Sequence, residues 1–137
     1  MLVLVLAVAA VGCGRTGEAT IRLNQAEDEL DTITDELVEL LELDVRERED
    51  FGRPTVCDLP TAGDGAVTDS SLRAPLPDVD DLTDRASAVL VEAGYEVTDE
   101  GLEEGVYGRR QGIRVTVEVD RPSQQVLIDT STGCRPV

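Results

Sequence analysis

The chain has no histidine, no lysine and no tryptophan, and these absences exclude several kinds of chemistry at once. Without histidine there is no Ser-His or Cys-His nucleophile pair and no histidine-ligated metal site. The three cysteines form no Cys-x-x-Cys motif, which removes the usual thiolate zinc site as well. We therefore predict that the protein is not an enzyme and has no catalytic residue, no cofactor and no metal site.

Positive charge is also scarce, because 12 basic residues stand against 29 acidic residues, for a formal net charge of −17. Such a surface repels nucleic acid and anionic lipid head groups, so we predict no nucleic-acid partner. Closely spaced carboxylates arise by chance in a chain this acidic. We interpret residues 78–84 (DVDDLTD) as an acidic helix start rather than a calcium-binding loop.

The apolar run at the start of the chain is too short to cross a membrane. It ends at Gly12 and Cys13, whereas a membrane-spanning helix needs about 20 apolar residues. Its length is typical of a secretory signal peptide. Residues 10–13 (AVGC) resemble a bacterial lipobox, in which the cysteine receives a diacylglyceryl group and the bond before it is cleaved.

We predict a signal peptide over residues 1–12, lipidation at Cys13 and a lipidated tether over residues 13–19. The protein would then be extracytoplasmic, with the membrane as a partner through its lipid anchor. The alternative is an ordinary signal peptide with an incidental cysteine.

The odd number of cysteines agrees with this prediction. If Cys13 carries lipid, Cys57 and Cys134 remain to form a disulfide in an oxidising compartment. Such a bridge would stabilise a small aliphatic core, since the whole chain has only three aromatic residues, one Phe and two Tyr. The alternative is that these two cysteines are buried free thiols.

Residues 20–137 are predicted to form a single α+β domain. From residue 20 to 49 apolar residues recur three and four positions apart, which predicts a long helix. This stripe consists of Leu23, Ala26, Leu30, Ile33, Leu37 and Leu40. We expect it to pack on the domain's own sheet and second helix, and the alternative is docking on a basic partner helix. Residues 51–78, with four prolines and three glycines, are predicted to be a loop with a short strand over 66–72.

A second helix is predicted from residue 82 to 93, with Asp80 or Asp81 at its N-terminal cap and Gly94 just after its end. Strands are predicted over 95–98, 105–110, 113–120 and 126–130, with a turn at residues 111–112. The alternation of apolar and polar residues over 113–120 is the clearest strand pattern. It predicts a small antiparallel meander with both helices packed on one face.

The order of these features resembles small lipoproteins of unknown function that are common in actinobacteria. The resemblance rests on the lipobox, a long first helix leading to a cysteine, Gly94-Tyr95 after the second helix, and a closing Ser-x-x-Cys at residues 131–134. It implies no particular activity.

We expect a monomeric, non-catalytic binding or interaction module of the cell envelope, with an envelope protein or a small ligand as its partner. The candidate binding residues are Tyr107, Arg109 and Arg110, together with Tyr95. Arginine beside tyrosine suits a carboxylate or a sugar, although such arginines also offset nearby acidic residues. The alternative function is a lipid- or small-molecule-carrying lipoprotein with a cavity between the sheet and the helices.

Overall fold

The computed structural model describes residues 21–60, 63–99 and 101–137. Within these ranges the chain forms two helices and eight strands. Their bounds are α1 Leu23–Leu40, β1 Glu47–Glu49, β2 Thr55–Leu59, β3 Gly63–Val67, β4 Asp69–Pro75, α2 Leu82–Glu92, β5 Glu96–Thr98, β6 Gly105–Arg110, β7 Ile113–Asp120 and β8 Gln125–Ser131. The predicted signal peptide, the lipidated Cys13 and the tether lie outside the described residues.

Six strands form one antiparallel sheet in the order β1-β4-β8-β7-β6-β5. The strands β5 to β8 form the predicted meander, β4 pairs along the whole of β8, and β1 closes the far edge. The strands β2 and β3 form a separate antiparallel hairpin. Both helices contribute to one hydrophobic core with the sheet, which confirms the predicted α+β class.

The core lies between the helices and one face of the six-stranded sheet. Along β7 the residues Ile113, Val115, Val117 and Val119 are buried, and the residues between them point to the opposite face. Side chains from both helices, and Leu41 directly after α1, pack against them. The largest that are fully buried are Leu30, Leu37, Leu41 and Leu90. The apolar side of the sheet is therefore covered by helices, as the alternating pattern predicts.

The helix α1 is shorter than predicted, with 18 residues and a length of about 27 Å. Five of the six stripe residues are buried, but Leu40 is 53% exposed and Leu41 is fully buried. The helix ends in a Schellman motif, in which Glu42 has a φ of 55° and the amide of Leu43 donates to the carbonyl of Val38 at 3.0 Å. The chain reverses at this point, so β1 forms where a helix was predicted.

The helix α2 begins directly after Asp81, close to the predicted position. Asp81 has a φ of 57° and its side chain makes no capping hydrogen bond, so the predicted cap is correct in position and wrong in its hydrogen bonding. At the other end Gly94 has a φ of 89°, and the amides of Gly94 and Tyr95 donate to the carbonyls of Val91 and Leu90. The predicted glycine stop is therefore confirmed.

The prediction of a loop over residues 51–78 is wrong, because this segment contains β2, β3 and β4. Strand β4 lies between β1 and β8, so its backbone has hydrogen-bonding partners on both sides. Its sequence, DSSLRAP, has little strand propensity, and only Leu72 and Ala74 contribute to the core. Pairing with β8 decides its conformation, because strand propensity depends strongly on tertiary context. The short strand predicted over 66–72 is divided between β3 and β4 at Thr68.

Candidate functional site

The face of the six-stranded sheet opposite the helices carries Ser71, Tyr107, Arg114, Thr116 and Asp129, and we refer to it as the open face. These residues alternate along their strands with buried core residues, which places them together on the other side of the sheet. Most polar side chains on an antiparallel sheet simply face water. The open face differs from that expectation because a groove forms on it.

The groove has a volume of about 500 Å³ and crosses the centre of the sheet. Its floor follows one cross-strand row, in which Thr116 of β7 lies between Asp129 of β8 and Tyr107 of β6. Ser71 of β4 continues the row beyond Asp129. Asp50 and Gly52, which follow β1, contribute to its lining. Hydroxyl groups, an aromatic ring and charged groups are therefore all available to one bound molecule.

The charged groups of the groove are separated by sign. The carboxylates of Glu49, Asp50, Asp69 and Asp129 lie towards β1, β4 and β8, whereas Arg114 lies on β7. Desolvation by burial raises the pKa of Asp129, and the nearby Arg73 guanidinium partly opposes that shift. The groove therefore has an acidic end towards β1 and β4, and Arg114 is the basic residue that lines it on β7.

The structure brings together only part of the predicted binding group. Along β6, Tyr107 and Arg109 point to the open face, whereas Arg110 points to the helix side and forms an ion pair with Glu29. This separation follows from the period of two along a strand, because residues 109 and 110 necessarily point to opposite faces. Arg109 lies between two cross-strand partners, Glu96 of β5 and Arg114 of β7, neither of which sequence analysis selected.

Tyr95 also lies on the helix side, only 4% exposed, where its Cβ packs over Gly108. Within the described part of the chain its hydroxyl has no hydrogen-bond partner. Desolvation raises the pKa of this hydroxyl far above its ordinary value, Glu29 raises it further, and Arg110 opposes the shift. Tyr95 is therefore a core residue with an unsatisfied polar group.

The disulfide between Cys57 and Cys134 is formed, which confirms the predicted pairing. It fixes the β2–β3 hairpin to the C-terminal segment, where Ala66 and Arg135 also exchange two backbone hydrogen bonds of 2.9 Å. Arg135 itself is buried, and its guanidinium donates to the carbonyls of Thr132 and Gln111. No pattern in the sequence distinguishes this arginine from the exposed ones.

Asp129 and Arg114 were detectable from the sequence, because each alternates with buried residues of a predicted strand. Strand β4 was not predicted from the sequence. Because β4 pairs with β8, the acidic end of the groove could not be placed without it. Asp69 and Ser71 belong to the segment that was predicted to be a loop.

Among residues 21–60, 63–99 and 101–137 there is no cluster of three or more side chains suited to hold a metal ion. No helix in the same ranges combines the length and the hydropathy needed to span a membrane. The chain matches no protein-family model, and no curated protein or solved structure shows significant similarity to it.

Proposed function

We propose that the protein is a lipid-anchored, extracytoplasmic binding module whose open face holds a ligand or partner of the cell envelope. The observation that carries this proposal is the groove of about 500 Å³ on a sheet face that the helices leave uncovered. Ligand pockets commonly fall between about 300 and 1,000 Å³ and combine an aromatic wall with a few convergent polar groups. Tyr107, Thr116, Ser71 and Arg114 supply that combination.

The disulfide supports the extracytoplasmic part of the proposal. Disulfides persist in oxidising compartments and are rare where cellular thiols keep cysteines reduced. Cys57 and Cys134 form such a bond, and a third cysteine, Cys13, ends an apolar run in a lipobox-like sequence. A diacyl anchor at Cys13 would hold the domain stably at a membrane surface, since two acyl chains bind far more strongly than one.

The alternative function, a lipid carrier with a cavity between sheet and helices, receives less support. That layer is occupied by side chains that are fully buried or nearly so, among them Leu30, Leu37, Leu90, Ile113 and Ile128. An acyl chain needs an apolar cavity of its own length, and these side chains fill the position where it would lie.

Site-specific photocrosslinking in the native host tests the proposed binding face. A benzophenone amino acid at Glu118, on the open face of β7, reports on molecules that approach the groove. The matched control carries the same residue at Ala88, which is exposed on α2. We expect adducts from position 118 and none from position 88. Equal labelling at both positions, or labelling at 88 alone, would contradict the proposal.

A further inference from the structure

Segments that are distant in the sequence meet at one end of the six-stranded sheet. The amide of Leu23, at the start of α1, donates to the carbonyl of Pro136 at 3.0 Å, and the Arg22 guanidinium donates to the carbonyl of Val137 at 3.3 Å. The disulfide joins the β2–β3 hairpin to the same segment. We call this part of the molecule the anchor end. It consists of residues 21–23, the β2–β3 hairpin, residues 111–112 and residues 132–137.

The chain that leads from the predicted lipidation site enters the domain at the anchor end. Eight residue steps separate Cys13 from Ile21, so even a fully extended chain spans at most about 29 Å between them. Helix α1 runs away from the anchor end for about 27 Å. A bilayer that holds a lipid at Cys13 therefore meets the anchor end first. The opposite end could touch it only if the domain inverted on an almost fully extended tether.

The anchor end also carries the most exposed large apolar side chains of the described ranges. Val56 of β2 is 73% exposed, and Val137 is 79% exposed. Strand β2 pairs with β3 on one side only, so it forms the outer edge of its hairpin. Apolar side chains in this position leave water when they enter the boundary between lipid head groups and acyl chains. The anchor end therefore has apolar contacts to offer to a bilayer.

The two ends of the sheet differ in charge. The far end consists of the connections 41–46, 76–81, 99–104 and 121–124. It carries the arginines 46 and 121 and, among its described residues, the acidic residues Glu42, Asp44, Asp78, Asp80, Asp81, Asp99, Glu103 and Glu104. At the anchor end Arg22 and Arg135 balance Asp58 and Asp64. Anionic lipid head groups repel carboxylates, so they repel the far end and not the anchor end.

We propose that the anchor end faces the bilayer and contacts the lipid head groups through Val56 and Val137, while the acidic far end points away from the membrane. This inference rests on the proposed function, since it requires the lipid at Cys13. Strands β4 and β7 begin at the anchor end and β8 ends there. The open face is therefore a lateral surface of the anchored domain, and the bilayer leaves its groove accessible.

Paramagnetic NMR of the full-length protein tests this orientation. The protein is isotope-labelled in its native host, extracted with its lipid and placed in nanodiscs of phosphatidylcholine with a minority of phosphatidylglycerol. A small fraction of the lipids carries a gadolinium chelate at the head group, and nanodiscs without gadolinium give the reference spectrum. We expect the strongest amide broadening at residues 22, 56, 112 and 137, and the weakest at residues 44, 80 and 121. Uniform broadening, or broadening that is strongest at the far end, on the helices or on the open face, would overturn the inference.

A matched pair of substitutions tests the contact itself. Val56→Asp places a carboxylate at the proposed lipid contact, and it should reduce the broadening at residues 22, 56 and 137 at least about twofold. Leu40→Asp is the control, because it adds the same charge at an exposed apolar position, 53% exposed, at the other end of α1. It should leave the pattern of the parent unchanged. Equal effects of the two substitutions, or no effect of Val56→Asp, would contradict the contact through Val56.

The intact mass of the same sample separates a failure of this inference from a failure of the proposed function. If acyl groups are present and the broadening does not favour the anchor end, the lipid anchor stands and the orientation is wrong. If acyl groups are absent, the proposed anchor fails and the orientation fails with it.

Discussion

Removal of the disulfide should cost this domain a large share of its stability. The bridge joins Cys57 to Cys134 across 77 residues, which is most of the described fold. In the chain-entropy account, closing a loop of that length destabilises the unfolded state by about 4.5 kcal/mol at 25 °C. Domains of this size have total stabilities of only about 5–15 kcal/mol. We therefore expect the double substitution of both cysteines by serine to leave a marginally stable protein.

Chemical and thermal unfolding followed by circular dichroism measure this effect. The double variant should lose about 4 kcal/mol of unfolding free energy, and its Tm should fall by roughly 15–20 °C. Cys13→Ser is the control, because it removes a cysteine without opening the bridge, and it should unfold like the parent. A double variant within about 1 kcal/mol of the parent would refute the loop-closure reasoning.

Three further substitutions test other parts of the structure. Tyr95→Phe should raise the unfolding free energy by about 1 kcal/mol, because it removes a buried hydroxyl without a partner. Because the pKa of Tyr95 is raised in the folded protein, its hydroxyl ionises at a lower pH in the unfolded chain. The parent should therefore lose stability above about pH 10, and the variant should not show this loss. Asp129→Asn should slightly stabilise the protein at pH 7, where the parent holds a partly desolvated carboxylate. The raised pKa of Asp129 means that the penalty of its charge disappears once the carboxyl is protonated in both the folded and the unfolded state. The stability advantage of the variant should therefore vanish below about pH 3 in unfolding experiments. Gly105→Ala should destabilise by about 1–3 kcal/mol, since its Cβ would lie 2.5 Å from the carbonyl oxygen of Val117; an unchanged Tm would contradict the strand spacing.

The elements that were predicted correctly are those with a strong local pattern. Strand β7 alternates apolar and polar residues over its whole length, and Gly94 ends α2 at the position expected for a helix stop. Both signals depend only on neighbours in the sequence, so they survive in any tertiary context. The cysteine pairing was predicted from the count of three and the lipobox-like position of Cys13.

The errors occur where contacts distant in sequence decide the conformation. Strand β4 is held by β1 on one side and β8 on the other, and its own residues favour turns. Helix α1 was predicted from its apolar stripe to continue to residue 49, but it ends at Leu40. The Schellman motif at Glu42 uses no glycine, so the helix end left no mark in the sequence.

The candidate site was partly predictable for the same reasons. The period of two along β6 separates Tyr107 and Arg109 from Arg110, and it was available from the sequence. The opposition of Arg109 and Arg114 depends on the register of β6 and β7, which the turn at residues 111–112 fixes. The acidic end required β4, whose position only the folded structure provides.

The proposed function rests on a lipid-anchored, extracytoplasmic location for this disulfide-closed domain. Its most direct test is the intact mass of the protein extracted from its native membrane, measured with and without reductant. The account predicts the chain from Cys13 onwards plus acyl groups, with a gain of two hydrogen atoms on reduction. An unlipidated mass that includes residues 1–12 and does not change on reduction would contradict it.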